Sequence, residues 1–159
     1  MSALELDAGA LARACAAAML ERDAASRALG VVIDEARPGY ARVSLTVTET
    51  MVNGHAIAHG GVTFTLADSA FAFACNSRNE PNVALQASIS YISAVRLGER
   101  ITAEAQERSS KAKTGVYDVT VTRGEGDLVA LFRGVCYRIK GTVLSGTTGD
   151  ATALEGAGT

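Results

Sequence analysis

One stretch of this chain constrains its fold more than any other. Between Val62 and Ser77 nearly every residue is apolar or small, Val62, Phe64, Leu66, Phe71, Phe73 and Cys75 among them, and Asp68 is the only charge. The run is long enough for about four turns of helix. A helix that is apolar on all sides must be buried. A single buried helix of that length needs a sheet to wrap it, so the stretch alone points to an α+β arrangement.

The rest of the chain supplies the sheet. Val43, Leu45 and Val47 alternate with Ser44, Thr46 and Thr48, which is a strand with one buried face. Val31–Ile33 precedes it across a Pro38-Gly39 turn, giving a first hairpin. After Pro81 a period of two runs through Val83–Tyr91, Ile101–Gln106 and Tyr117–Thr122. Leu128–Ile139 is more continuously apolar, as for a strand covered on both faces. The connections at Leu97-Gly98, Lys111–Gly115 and Gly124–Asp127 are short, so neighbouring strands are antiparallel. Upstream, Leu11, Cys15, Ala18 and Met19 have helical spacing, with Gly30 placed to stop a helix over residues 4–29. The resulting division is an N-terminal helix (1–29) packed on the domain, an α+β domain (30–140) and a flexible C-terminal tail (141–159).

Composition narrows the functional classes. At 159 residues the chain is one domain, and with no Trp and 5% aromatics its core is built from Ala, Val, Leu and Ile. Lys and Arg number 15 against 17 acidic residues, a net charge of −2, which argues against a nucleic-acid or membrane-surface partner. The widely spaced Cys15, Cys75 and Cys136 form no C-x-x-C pair and read as reduced, buried thiols. The apolar segment 10–20 is broken by Arg13 and preceded by Glu5 and Asp7, unlike a signal peptide, so a cytoplasmic location is expected.

Both histidines of the chain lie in the segment Asn53–Asp68. Gly60 and Gly61 immediately precede the apolar run. A helix start offers unpaired N–H groups and partial positive charge, and glycine lets another group approach them, as an oxyanion site requires. Asp68 is a carboxylate inside a buried helix, where desolvation raises its proton affinity and makes it a candidate base or nucleophile. His55 and His59 are four residues apart, but Asn53-Gly54 argues against a helix there and no third metal ligand stands out, so no metal is expected. Gly61 and Asp68 are seven residues apart. They share a face but are separated by roughly 10 Å along the axis, too far to act on one carbonyl. The acid therefore needs a second helix start, and a symmetric dimer with Asp68 of each subunit facing Gly60/Gly61 of the other supplies one.

The stretch Asn53-Gly54-His55, then His59-Gly60-Gly61, then Phe64 and Leu66-Ala67-Asp68, resembles the hotdog-fold acyl-CoA thioesterases of the phenylacetic acid degradation (PaaI-type) group. Ala72–Ser77, Lys113–Val119 and Val129–Gly134 resemble later segments of that group, and the likeness covers about residues 28–140. The resemblance implies an antiparallel sheet wrapped around one long helix and hydrolysis of aryl- or hydroxyaryl-acetyl-CoA thioesters. It implies that Asp68 is nucleophile or general base, that the Gly60 region polarises the carbonyl, and that Asn53 and His59 help place it. It implies a dimer assembling to a homotetramer, with no metal and no cofactor beyond the coenzyme A of the substrate. Gly61 and the turn Lys113, Thr114, Gly115 are the candidate substrate-binding positions; Arg96, Arg100 and Arg108 are further candidates for the phosphates. Two competing readings share the fold: a 3-hydroxyacyl dehydratase, pairing a loop histidine with the helix acid, and a non-catalytic acyl-CoA-binding module, which would not need Asp68.

Overall fold

The structure is a computed structural model that describes residues 6–145. Helices α1 (Ala8–Arg22) and α2 (Ala24–Ala28) lead into strands β1 (Val32–Arg37) and β2 (Tyr40–Thr46). A short 3₁₀ turn (Glu49–Met51) and a loop precede the long helix α3 (Gly60–Cys75), followed by β3 (Asn82–Tyr91), β4 (Arg100–Lys111), β5 (Thr114–Arg123) and β6 (Asp127–Arg138). The strands form one six-stranded sheet in the order β1-β2-β4-β5-β6-β3, and all five pairings are antiparallel. Helix α3 packs across β2, β4 and β5, as the apolar run and the alternating segments require.

The alternation in sequence becomes burial. Val43 and Leu45 on β2, Ala103 on β4, and Val119 and Val121 on β5 are at most 2% exposed and pack in one core with Leu66, Ala70, Phe71 and Phe73 of α3. Phe71 reaches the sheet because β6 carries Gly134 beneath it: a Cβ there would lie 2.8 Å from the ring. The three cysteines are buried and unpaired.

Four departures from the sequence reading have physical causes. The N-terminal helix is two helices, because Asp23 ends one and starts the next: its backbone N–H donates to Leu20 O while its carboxylate accepts from Ser26 N. Gly30, with φ +68°, then closes α2 in the left-handed conformation that glycine tolerates. Helix α3 begins at Gly60 rather than Val62 because the His59 side chain caps it, and it ends at Cys75 rather than Ser77. Nor is α3 buried all round. Gly61 is exposed, and Thr65, Asp68 and Ala72 are partly exposed, at spacings of three and four, so one stripe of the helix stays open.

Strand β6 is covered on one face only. Leu131 is 46% exposed and Arg133 is exposed, while Ala130, Phe132 and Cys136 point into the core. Its apolar continuity comes from an irregularity opposite Val121/Thr122, which buries Val129 beside Ala130. At the other end of the chain, Val143 is buried, its carbonyl accepts from the Arg22 guanidinium at 2.9 Å, and Leu144 N donates to Asn79 Oδ1 at 2.9 Å. The segment is thus anchored through Leu144, and the remainder of the expected tail lies outside the described residues.

Strand β3 is the outer edge of the sheet beyond β6. From Val83 to Tyr91 it carries neither Pro nor charge, the devices that usually protect an edge. Leu85, Tyr91 and the following Ile92 are each more than half exposed.

Candidate active site

The loop before α3 is held in shape by Asn53. Its backbone N–H donates to Ile57 O at 2.8 Å, and its side-chain Oδ1 accepts from His55 N at 2.9 Å. Such Asx turns are the common use of a short polar side chain in a tight loop. The turn places Ala56 at φ +59°, a left-handed conformation that costs a residue with a Cβ roughly 1–2 kcal/mol. Bridges from Val52 to Ala58 and from Ile57 to Arg96 pin the loop on both sides. His55 is exposed, and its N–H, not its ring, serves the turn.

The loop delivers His59 as the cap of α3. Its Nδ1 accepts from Gly61 N at 2.9 Å, and its carbonyl accepts from Val62 N at 2.8 Å. The Gly61 N–H is therefore engaged, whereas the Gly60 N–H has no partner among the described residues. It stands at the positive end of a sixteen-residue helix. The Tyr91 hydroxyl donates to Gly60 O at 2.9 Å, and a Cβ on residue 60 would lie 3.1 Å from the tyrosine ring. Glycine at 60 thus lets the end of β3 fasten the helix start. A depression of about 260 Å³ opens here, lined by Asn53, Ile57, Gly60, Thr63, Tyr91 and Ile92 among others.

Asp68 lies on the open stripe of α3, eight residues beyond Gly60, or about 12 Å along the axis. Its carboxylate makes no ion pair or hydrogen bond among the described residues. Burial, and secondarily the negative charge of Asp23, pushes its carboxyl above the usual range. Asp68 does not line the depression at Gly60.

Lys113, Thr114 and Gly115 lie at the β4–β5 turn and border a narrow cleft with Cys75, Arg78 and Arg138, by the C-terminal end of α3. Gly115 is there for packing, since a Cβ on it would meet Cys136 Sγ at 2.9 Å. One chain therefore sets the sequence-derived candidates in three places along α3: Asn53, His59, Gly60 and Gly61 at its start, Asp68 in its middle, and Lys113–Gly115 at its end. Among the described residues no group of three His, Cys, Asp or Glu side chains gathers to hold a metal, and no helix is long and apolar enough to cross a membrane.

Residues 55–130, which run from this loop into β6, match the thioesterase superfamily. The acyl-coenzyme A thioesterase PaaI of Escherichia coli is 45% identical over 134 residues, spanning 84% of this chain and 93% of that protein. The chain belongs to the PaaI-type acyl-CoA thioesterases. The E. coli PaaI structure, from the phenylacetic acid degradation operon, superposes with a TM-score of 0.84 at 43% identity, covering 86% of this chain and 99% of that one. A Streptococcus pneumoniae protein described as a hypothetical thioesterase with coenzyme A superposes at a TM-score of 0.66 and 30% identity, over 68% of this chain and 87% of that one.

This PaaI-type chain is a thioester hydrolase with the hotdog fold: an antiparallel sheet, one long helix packed across it, and a helical N-terminus. Membership selects hydrolysis over the dehydratase and binding-module readings. Two features of the site were not legible in its motif. The Tyr91 hydroxyl bond to Gly60 depends on which edge β3 occupies, and sequence alternation gives only the face. The approach of Asp23 to α3 joins residues 45 positions apart (from Asp23 to Asp68), with no local signal beyond a helix-capping pattern.

Proposed function

We propose that this enzyme hydrolyses phenylacetyl- and hydroxyphenylacetyl-type CoA thioesters in sites shared between two subunits, with Asp68 of one subunit acting on a carbonyl held by the Gly60 N–H of the other. The observation that carries this reading is the separation of two unpartnered groups: an available N–H at the start of α3 and an unpaired carboxylate on the same helix, about 12 Å further on. Neither completes a site in its own chain. The open stripe that bears Asp68 and the unprotected edge of β3 are the surfaces a second copy would cover, β3 against β3 and α3 against α3. Two such dimers would make the homotetramer.

The chemistry needs no metal or cofactor; coenzyme A arrives with the substrate. The thioester carbonyl lies against the Gly60 N–H, with His59 fixing the helix start and Asn53 the loop. With Asp68 as base, a water adds to the carbonyl carbon and gives its proton to the carboxylate. The oxyanion accepts the Gly60 N–H, and its collapse breaks the C–S bond and releases the CoA thiolate. With Asp68 as nucleophile, a mixed anhydride forms instead and water cleaves it. Single turnover in ¹⁸O-water separates the two, because label in the Asp68 carboxylate marks the anhydride route. The acyl group lies in the depression walled by Ile57, Tyr91 and Ile92, whose apolar surfaces suit an aryl ring. Gly61 and Lys113–Gly115 are assigned to the substrate, with the β4–β5 turn beside the CoA phosphates. The three unpaired, buried thiols fit the reducing cytoplasm.

The test is a thiol-release assay across phenylacetyl-, hydroxyphenylacetyl- and straight-chain acyl-CoAs. The aryl thioesters should give the highest kcat/KM, and Asp68→Asn should lower kcat by roughly a hundredfold or more with little change in KM. Preference for straight chains would overturn the acyl assignment, and unchanged turnover in Asp68→Asn would overturn the role of Asp68.

A further inference from the structure

The junction of α1 and α2 is tied to α3 by a chain of buried hydroxyls. The Asp23 carboxylate accepts from Ser26 N at 2.9 Å through Oδ1 and from Ser26 Oγ at 2.5 Å through Oδ2. Ser26 is 1% exposed, and its Oγ lies 2.8 Å from Ser69 Oγ. Ser69 is 6% exposed, and its Oγ is also 2.8 Å from Thr65 O, one turn back along α3. Ser69 is the residue after Asp68. The half-buried Asp23 carboxylate is thus fixed two hydrogen bonds away from the turn of α3 that carries Asp68, and no lysine or arginine among the described residues pairs with either carboxylate.

We propose that Asp23 is a positioning residue for the hydrolytic reaction: bonded to Ser26, whose hydroxyl meets Ser69 on α3, it fixes a negative charge beside the turn that carries Asp68. The inference rests on Asp68 being the catalytic carboxylate.

The other groups around α3 do not provide that charge. On α3 itself, Cys75 is the titratable neighbour that senses Asp68, with its thiol proton held more tightly in the neutral form. The strands contribute Tyr117 and Cys136, both of which gather around Cys75 at the far end of the helix. On α1, Cys15 Sγ is 3.9 Å from Asn79 Oδ1, also past that end. The charges of β1 are engaged elsewhere: Asp34 with Arg100, and Glu35 with Arg37 and Arg42. Arg27 of α2 borders a separate depression beside Arg100. Among the described residues, Asp23 is the charged side chain tied by hydrogen bonds to the turn that carries Asp68, and its charge adds to burial in raising that carboxyl.

The sign follows from like-charge repulsion. A negative neighbour favours the protonated form of Asp68, so removing it makes Asp68 a weaker base that stays ionised to lower pH. Asp23→Asn keeps an oxygen for Ser26 N and removes the charge. Ser26→Ala keeps the charge and the Ser26 N–H bond but cuts the link to Ser69.

The experiment records the pH dependence of kcat/KM together with a ¹³C-carboxyl NMR titration of Asp68, in the wild-type chain and both variants. For Asp23→Asn, the acidic limb and the Asp68 titration should move together to lower pH. Its plateau kcat should fall about twofold as the base weakens, with KM unchanged. Ser26→Ala should lower Tm and move the limb part of the way to lower pH, because the freed carboxylate no longer keeps its place beside Asp68. If Asp23→Asn lowers Tm like Ser26→Ala while limb and titration stay where they are, Asp23 only docks the helices and the inference is overturned. Full turnover in Asp68→Asn would instead overturn the catalytic role of Asp68, and the NMR titration would still report whether Asp23 acts on it.

Discussion

Asp68, the proposed base or nucleophile, weighs on its own fold. Its carboxyl is raised mainly by burial and further by Asp23, so the folded state holds the Asp68 proton more tightly than the unfolded chain does. Between the unfolded value and the raised folded value, the native protein binds more protons, and stability falls as pH rises through that window. Above it, ionised Asp68 is a standing penalty. Asp68→Asn keeps the shape and removes that penalty, so the variant should be inactive and yet melt at a higher temperature than wild type at neutral pH. The gap should close as pH drops below the ordinary carboxylate range. Thermal melts of both proteins across that range check this; a lower Tm for the variant at neutral pH would mean that ionised Asp68 has stabilising partners.

At the scale of elements, the packing of α3 on the sheet turns on one close contact. The Phe71 ring lies where a Cβ on Gly134 would stand, and it also meets Tyr117 and Phe132 with centroids 5.7 and 6.0 Å away. Gly134→Ala must push α3 off β6 or force Phe71 from its rotamer, which should destabilise the fold by about 1–3 kcal/mol in denaturant titrations. The strands were legible in sequence because each follows a period of two over many residues, and α3 because its apolar run is too long for a strand. Leu128–Ile139 misled because a local irregularity buries Val129 and Ala130 side by side, which imitates a strand covered on both faces. The open stripe on α3 was illegible for a related reason: Gly61, Thr65 and Ala72 are as small or neutral as core residues, and only Asp68 among them marks a face.

For the whole molecule, the candidate site was legible as a set of residues but not as a place. Asn53, His59, Gly60 and Asp68 stand out by chemistry. That a single chain holds the Gly60 N–H and Asp68 apart follows from the rise of a helix, and the structure adds the engaged Gly61 N–H, the Tyr91 brace and the bare edge of β3. Shared sites are the central claim, and subunit mixing tests them most directly. Chains carrying Asp68→Asn lack the base, and chains carrying Gly60→Val crowd the oxyanion donor against Tyr91, so each homodimer should be nearly inactive. In a mixed dimer, one site would combine the intact Gly60 of one chain with the intact Asp68 of the other, and thiol release should recover toward half the wild-type rate per dimer. A mixed dimer, confirmed by mass, that remains as inactive as its parents would contradict shared sites and place the whole reaction within one chain.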